Sequence, residues 1–241
     1  MQWPNHPWPS KREPCNARLL DARKLATGKT RFYPLLTYPI KSIARRIAEL
    51  FARPGFEHLV EQWRERPQLD GVMADVFDGR VWRDFQQYDG RPFLAQHGNI
   101  ALGINLDWYQ PYRHTNYSVG VFYACILNLP RHLRFRKENL IVLAIMPGPR
   151  QQDDVNPFLA PIVSELLELW QPGIRVRTPS KPDGVIVRAA VLLAACDMPA
   201  QKKLSGFIGQ SGKRGCHRCC AEFPTYKPEG AGSAPPRVDF G

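Results

Sequence analysis

No stretch of the sequence is apolar for long enough to cross a bilayer. The longest run, Val185 to Cys196, is too short and is interrupted by Arg188. The start, Met-Gln-Trp-Pro-Asn-His-Pro, lacks the apolar core of a secretory signal. Cysteine is present but not as a spaced framework: Cys216, Cys219 and Cys220 crowd together while Cys15, Cys125 and Cys196 lie scattered, which argues against a disulfide scaffold. Acidic residues are few, 22 against 33 lysines and arginines, for a net charge of +11. The expectation is a soluble intracellular chain in a reducing compartment, with no membrane partner. The charge balance favours nucleic acid or another polyanion and says nothing of fold. With 44% apolar residues over 241 positions, the chain can build one large core or two small ones.

Residues 1–37 form a basic, proline-rich arm without sustained periodicity. From Lys11 to Arg46 ten basic residues face only Glu13 and Asp21. Such a stretch is either a solvated arm or a phosphate-contacting one, because clustered cations release counterions on DNA. The candidate DNA contacts are Lys11, Arg12, Lys24, Lys29, Arg31, Arg45 and Arg46. Residues 38–92 hold a helical pair and a linker. Ile40, Ile43, Ala44, Ile47, Leu50 and Phe51 share one face at helical spacing, Arg53-Pro54-Gly55 ends that helix, and Phe56, Leu59, Val60 and Trp63 mark a second. The pair reads as an αα-hairpin rather than a DNA-reading motif.

Residues 93–212 alternate strands and turns. Asn99–Trp108, Ser118–Leu129 and Asn139–Met146 read as three strands, joined closely enough to be antiparallel neighbours. A helix follows, with Leu159, Ile162, Val163, Leu166, Leu167 and Trp170 as its apolar stripe, Pro172-Gly173 closing it, and Pro161 marking either its start or a kink. Val185 to Ala195 then reads as a central strand buried on both faces, parallel to the first because a helical crossover leads to it. The fold class is therefore α/β: an incomplete RNase H-like layout of three antiparallel strands, a helix and a parallel central strand, preceded by a basic helical segment. Residues 213–241 form a CxxC segment and a tail.

Asp107 ends the first strand and Asp197 follows the last one. On parallel neighbours, both would emerge at the sheet edge where open α/β sheets place their sites. Strands lie about 4.8 Å apart, so two carboxylates there can share a divalent ion. Hard oxygen donors suit Mg²⁺ or Mn²⁺ in a two-metal site. The plainer alternative is that each aspartate caps its own turn. Asp75, Asp78, Asp153 and Asp154 read as turn, cap or surface residues, and the scattered histidines as structural or surface ones. Cys216 and Cys219 have the spacing of half a zinc site, with the other ligands elsewhere, or of a redox pair.

At these residues the chain resembles a known family. Leu102-Gly-Ile-Asn-Leu-Asp107-Trp-Tyr-Gln-Pro-Tyr112 is similar to the first-aspartate segment of the Tnp2-type transposases of CACTA (En/Spm) elements. Leu127-Asn-Leu-Pro130, Met146-Pro-Gly-Pro149, Asn156-Pro-Phe-Leu-Ala-Pro161, Val187–Leu193, Cys196-Asp-Met-Pro-Ala200, Leu204-Ser-Gly206 and the Cys216/Cys219 pair follow in order. The likeness runs over roughly residues 70–223 and extends to the transposase-domain proteins of fungal genomes. It implies metal-dependent DNA cleavage and strand transfer, with Asp107 and Asp197 as the first two catalytic acids and Cys216 and Cys219 as a zinc-type pair. DNA is then the partner, the nucleus the location, and self-association a property of the full-length protein. The family's third acid lies well beyond the CxxC, a place that Glu222 and Glu229 do not fit. The expectation is a fragment that is inactive alone; the alternative is a transposon-derived DNA-binding protein without catalysis.

Overall fold

The computed structural model describes residues 18, 20–35, 37–67, 70–148, 151, 155–206, 222, 225–226 and 237–238. The chain divides between Thr37 and Tyr38 into two compact units.

In the first unit, β1 (Leu20–Lys24) and β2 (Thr30–Pro34) pair antiparallel, with Asp21 opposite Tyr33 and Arg23 opposite Arg31. Leu25 N–H bonds the Lys29 carbonyl at 2.8 Å across the turn, where Gly28 takes a φ of +78° that side-chain-bearing residues resist. The arm was expected to lack regular structure, and residues 20–34 correct that. The alternation there sets basic against aromatic and small residues, so apolar periodicity does not reveal it. Lys11 and Arg12 lie outside the described residues.

The second unit opens with α1 (Ile43–Phe51), which buries Ile43, Ile47, Leu50 and Phe51. Ser42 Oγ caps it by accepting from Arg45 N–H at 3.2 Å, and the Glu165 carboxylate accepts from Ile43 N–H at 2.6 Å. A carboxylate suits this position because unsatisfied N–H groups and the helix dipole make it positive. Gly55, at φ +78°, turns the chain into α2 (Phe56–Glu61), which buries Phe56 and Val60. This pair packs into the core, as an αα-hairpin does. Arg46 spends its guanidinium on Glu49 and on the Glu138 carbonyl at 2.7 Å, while Arg45 reaches Glu49 at 3.2 Å.

Short 3-10 turns lead to α3 (Arg80–Asp84) and to the small pair β3 (Gln87–Tyr88) and β4 (Arg91–Pro92). Asp75 and Asp78 cap a 3-10 turn, Val76–Asp78. Asp78 is buried, accepts from the Ala74 and Asp75 N–H groups at 2.8 Å each, and meets Arg66 at 2.5 and 3.1 Å. The Arg66 guanidinium, followed by these N–H bonds, holds the Asp78 carboxyl far below the usual carboxylate range. Its contribution to stability is complete above the unfolded value, about pH 4, and is lost progressively as pH falls below it. Chemical denaturation at stepped pH should show stability declining below about pH 4, with a shallower decline in Asp78→Asn. Equal slopes in the two proteins would remove Asp78 from the acid response.

The central sheet holds β5 (Ile100–Tyr109), β6 (Val119–Ile126) and β7 (Ile141–Met146), with α4 (Arg131–Arg134) between the last two. Then come α5 (Asn156–Trp170), the pair β8 (Ile174–Val176) and β9 (Val185–Val187), β10 (Ala189–Ala194) and α6 (Met198–Leu204). A last two-residue pair joins β11 (Thr225–Tyr226) to β12 (Arg237–Val238). The sheet order is β10-β5-β6-β7, with β5, β6 and β7 antiparallel and β10 parallel to β5, a mixed sheet as expected.

Ile100, Leu102 and Leu106 of β5, with Phe122, Ala124 and Ile126 of β6, face the main core that also holds Ile47, Leu50 and Ile162 from α1 and α5. On the opposite face, Ala101, Cys125, Leu127 and Ala190 meet Trp82, Phe93 and Leu94. Each fully buried large side chain contributes about 1.5–3 kcal/mol relative to exposure.

Two expectations need correction. Of the two places read for Pro161, the helix start is excluded: α5 begins at Asn156 and carries Pro161 inside it. A proline there forfeits one backbone hydrogen bond, while Ile162 and Leu169 lie buried on the same helix. The Val185–Ala195 run is also not one central strand. It divides at Arg188 into β9, paired with β8, and β10, which is the edge strand of the described sheet, with Val191 exposed. Arg188 donates from Nε to the Trp170 carbonyl at 2.7 Å, and its guanidinium lies over the Phe93 and Trp170 rings. A run of apolar residues shows that chain is buried but not that it changes partners midway. Among the described residues no helix is long and apolar enough to cross a membrane.

Candidate functional site

Strand β10 pairs with the first half of β5, and the pairing changes register along the way. Val191 pairs with Leu102, an offset of 191 − 102 = 89, whereas Ala194 pairs with Ile104, an offset of 194 − 104 = 90. The irregularity between Val191 and Leu193 supplies the extra residue. Asp197 and Asp107 are also 197 − 107 = 90 apart, the same offset, although the pairing itself ends at Ala194 and Ile104.

Side chains and backbone extend the ladder beyond β10. Ala195 N–H bonds the Ile104 carbonyl at 2.8 Å, the Asn105 side-chain amide donates to the Ala195 carbonyl, and Leu106 N–H meets Cys196 Sγ at 3.2 Å. Residues alternate across a strand, so Gly103, Asn105 and Asp107 share the face opposite Leu102 and Leu106. A side chain at Gly103 would lie 3.1–3.3 Å from Leu127, Cys125 and Leu193, which keeps the strands closely apposed there. Across β6, Tyr123 pairs with Asn105 and Val121 with Asp107.

Both aspartates are exposed. Asp197 is the N-cap of α6, and its Oδ1 accepts from Ala200 N–H at 2.8 Å. The capping alternative is thus realised at Asp197, using one carboxylate oxygen. Among the described residues no hydrogen bond or ion pair is recorded for the Asp107 carboxylate. Cys196 links the two aspartates electrostatically. Burial pushes its thiol up, the Leu106 N–H opposes this, and Asp197 and Asp107 both add to the rise. The Tyr123 hydroxyl is likewise raised, mainly by burial and then by Asp107. On α6, Lys203 Nζ lies over the Trp108 ring, 4.8 Å from its centroid.

The donor chemistry suits a hard divalent cation in part. Asp107 and Asp197 offer carboxylate oxygens, and Asn105 Oδ1 is buried without a hydrogen-bond partner. Among the described residues, no three His, Cys, Asp or Glu side chains converge as a metal site. Cys216 and Cys219 lie outside the described residues, as do Asp153 and Asp154. Asn105, Tyr123 and Cys196 were not singled out in the sequence. The alternation of Asn105 with Asp107 on one strand face is the signal that could have found the first.

These features define a mixed α/β protein in which Asp107 lies near the end of β5 and Asp197 follows the end of its parallel neighbour β10. The chain belongs to the transposase family tnp2, whose model matches residues 70–229. No curated protein matches it significantly.

Proposed function

We propose that residues 93–206 form part of the RNase H-like catalytic region of a CACTA-type DNA transposase, with Asp107 and Asp197 as two of its acidic ligands for Mg²⁺ or Mn²⁺. The order β10-β5-β6-β7, with its directions, supports the layout. The observation that carries the reading is the shift of the β10–β5 pairing to an offset of 90, which is also the spacing of Asp107 and Asp197.

Asp107, whose carboxylate has no recorded partner among the described residues, serves as the principal ligand, and Asp197 lends the oxygen its cap leaves over. Asn105 holds the two strand ends together through the Ala195 carbonyl. When bound, the metal would activate the attacking water or 3′-hydroxyl and stabilise the leaving oxygen. The basic surface draws the DNA, and Cys216 with Cys219 is assigned to a zinc segment. The nucleus is the place of action, and self-association belongs to the assembled transposase.

Mn²⁺ uptake followed by titration calorimetry should be at least about tenfold weaker in Asp107→Asn than in the parent chain, since even outer-shell changes at metal sites cost that much. Uptake unchanged by Asp107→Asn would overturn the assignment. A second reading, a transposon-derived DNA-binding protein without catalysis, draws on the cap that occupies Asp197 Oδ1. DNA binding that persists in Asp107→Ala and Asp197→Ala, with no metal uptake in any version, would favour it.

A further inference from the structure

We infer that the hairpin of β1 and β2 is a DNA-backbone-contacting ribbon whose working face carries Arg23 and Arg31, set in place by Tyr33. This rests on the DNA-binding part of the reading above and adds the element, the face and the residues.

The register decides the face. Asp21 opposes Tyr33 and Arg23 opposes Arg31, so these four residues lie on one side of the ribbon. Lys24, paired with Thr30, lies on the other with Ala22 and Phe32. Charge alone had pointed to Lys24, Lys29 and Arg31; the register moves Lys24 off the face and brings Arg23 onto it.

Two guanidiniums directly opposite each other on a ribbon repel. Here both lie over one ring, Arg23 at 5.2 Å and Arg31 at 5.5 Å from the Tyr33 centroid. The ring face offers each cation some attraction, and it restricts where both can point. Arg23 Nε also meets Asp21 at 3.1 Å, and Arg18 meets the same carboxylate at 2.6 Å. One carboxylate therefore serves two arginines, and Arg31 has no recorded acidic partner among the described residues. The Arg23 side chain remains 68% exposed.

Between Arg18 and Arg31 the charges are Arg18, Arg23, Lys24, Lys29 and Arg31 against Asp21, a net of 5 − 1 = +4. The hairpin is exposed along nearly its whole length, and a two-stranded ribbon by itself is marginally stable in water. A polyanion relieves the opposed charges, and the major groove of duplex DNA admits a two-stranded ribbon. Planar guanidiniums held side by side suit bidentate contact with successive phosphates.

The test is the salt dependence of binding of the full chain to a labelled duplex, measured by fluorescence anisotropy. Each phosphate contact adds about 0.9 to the slope of log K against log salt. Arg23→Ala with Arg31→Ala should lower the slope by about 1.8. Arg23→Lys with Arg31→Lys should retain most of it, which guards against a folding artefact. Lys24→Ala should change it little, being on the other face. An unchanged slope in the double alanine variant overturns the inference, as does an equal loss in Lys24→Ala. A loss seen only with RNA of matched sequence overturns the assignment to duplex DNA. The arginine variants should leave Mn²⁺ uptake alone, so the two proposals can fail separately.

Discussion

Arg134→Ala is expected to destabilise the protein by about 3–5 kcal/mol, the usual cost of removing one member of a buried ion pair. Arg134 is 4% exposed. Its Nη2 donates to Asp75 Oδ1 at 2.9 Å and to the Leu129 carbonyl at 3.1 Å, and its guanidinium lies 5.3 Å from the Phe77 ring centroid. Asp75 in turn takes the Val76 N–H at 2.6 Å, so the pair ties the 3-10 turn at 76–78 to the last residue of α4 and to Leu129 in the turn after β6. Truncation leaves the Asp75 carboxylate, with its side chain 10% exposed, facing a cavity. Removing both charges should cost less than the sum of the single changes, because the stranded carboxylate then disappears. Arg134 Nε is also buried without a partner, which lowers the native value of the arginine itself. Urea denaturation of Arg134→Ala, Asp75→Asn and the double variant measures the coupling. A loss under about 1 kcal/mol for Arg134→Ala, or strict additivity, would show that the pair is not the tie it looks like.

Much of the sheet was legible because strand pattern and connection length are local properties. Val119–Ile126 and Ile141–Met146 are apolar and β-branched and end at turn residues. The bounds read from the sequence, Leu129 and Asn139, leave only 139 − 129 − 1 = 9 residues between them, too few for a crossover, so antiparallel pairing follows. The crossover through α5 makes β10 parallel to β5 for the same kind of reason. Partner choice is not local. Nothing in Val185-Ile-Val-Arg188 announces that three residues pair with β8 before the chain joins β5, although Arg188 marks the break. The β1–β2 hairpin escaped notice because its alternating residues are charged and aromatic rather than polar and apolar. Glu165 caps α1 from 122 residues away, a distance at which residue spacing carries no information.

The acidic site was legible in part, for a related reason. Asp107 and Asp197 could be named from strand ends, but the offset between β10 and β5 changes at an irregularity near Leu192, and a bulge has no reliable apolar signature. The Cys196 thiol meets the Leu106 N–H, and its proton is held more firmly first by burial and then by the charges of Asp197 and Asp107. Asn105 became visible only once its partner, the Ala195 carbonyl, was known.

Asp197 is where the capping role and the metal role can be pulled apart, because they need different properties of one side chain. The cap needs an acceptor oxygen for Ala200 N–H, which asparagine and serine supply about as well as aspartate. The metal needs an ionised carboxylate, which they do not supply. Asp197→Asn and Asp197→Ser should therefore unfold within about 0.5 kcal/mol of the parent chain, whereas Asp197→Ala should lose about 1 kcal/mol. All three should take up Mn²⁺ at least about tenfold more weakly. Denaturation and titration on the same four proteins separate the outcomes. If Asp197→Asn binds Mn²⁺ as well as the parent while Asp197→Ala alone is destabilised, the aspartate is a helix cap and the acidic pair is not a metal site. If affinity collapses in the well-capped Asn and Ser variants, stability cannot account for the loss. The Asp197 carboxylate then acts through its charge.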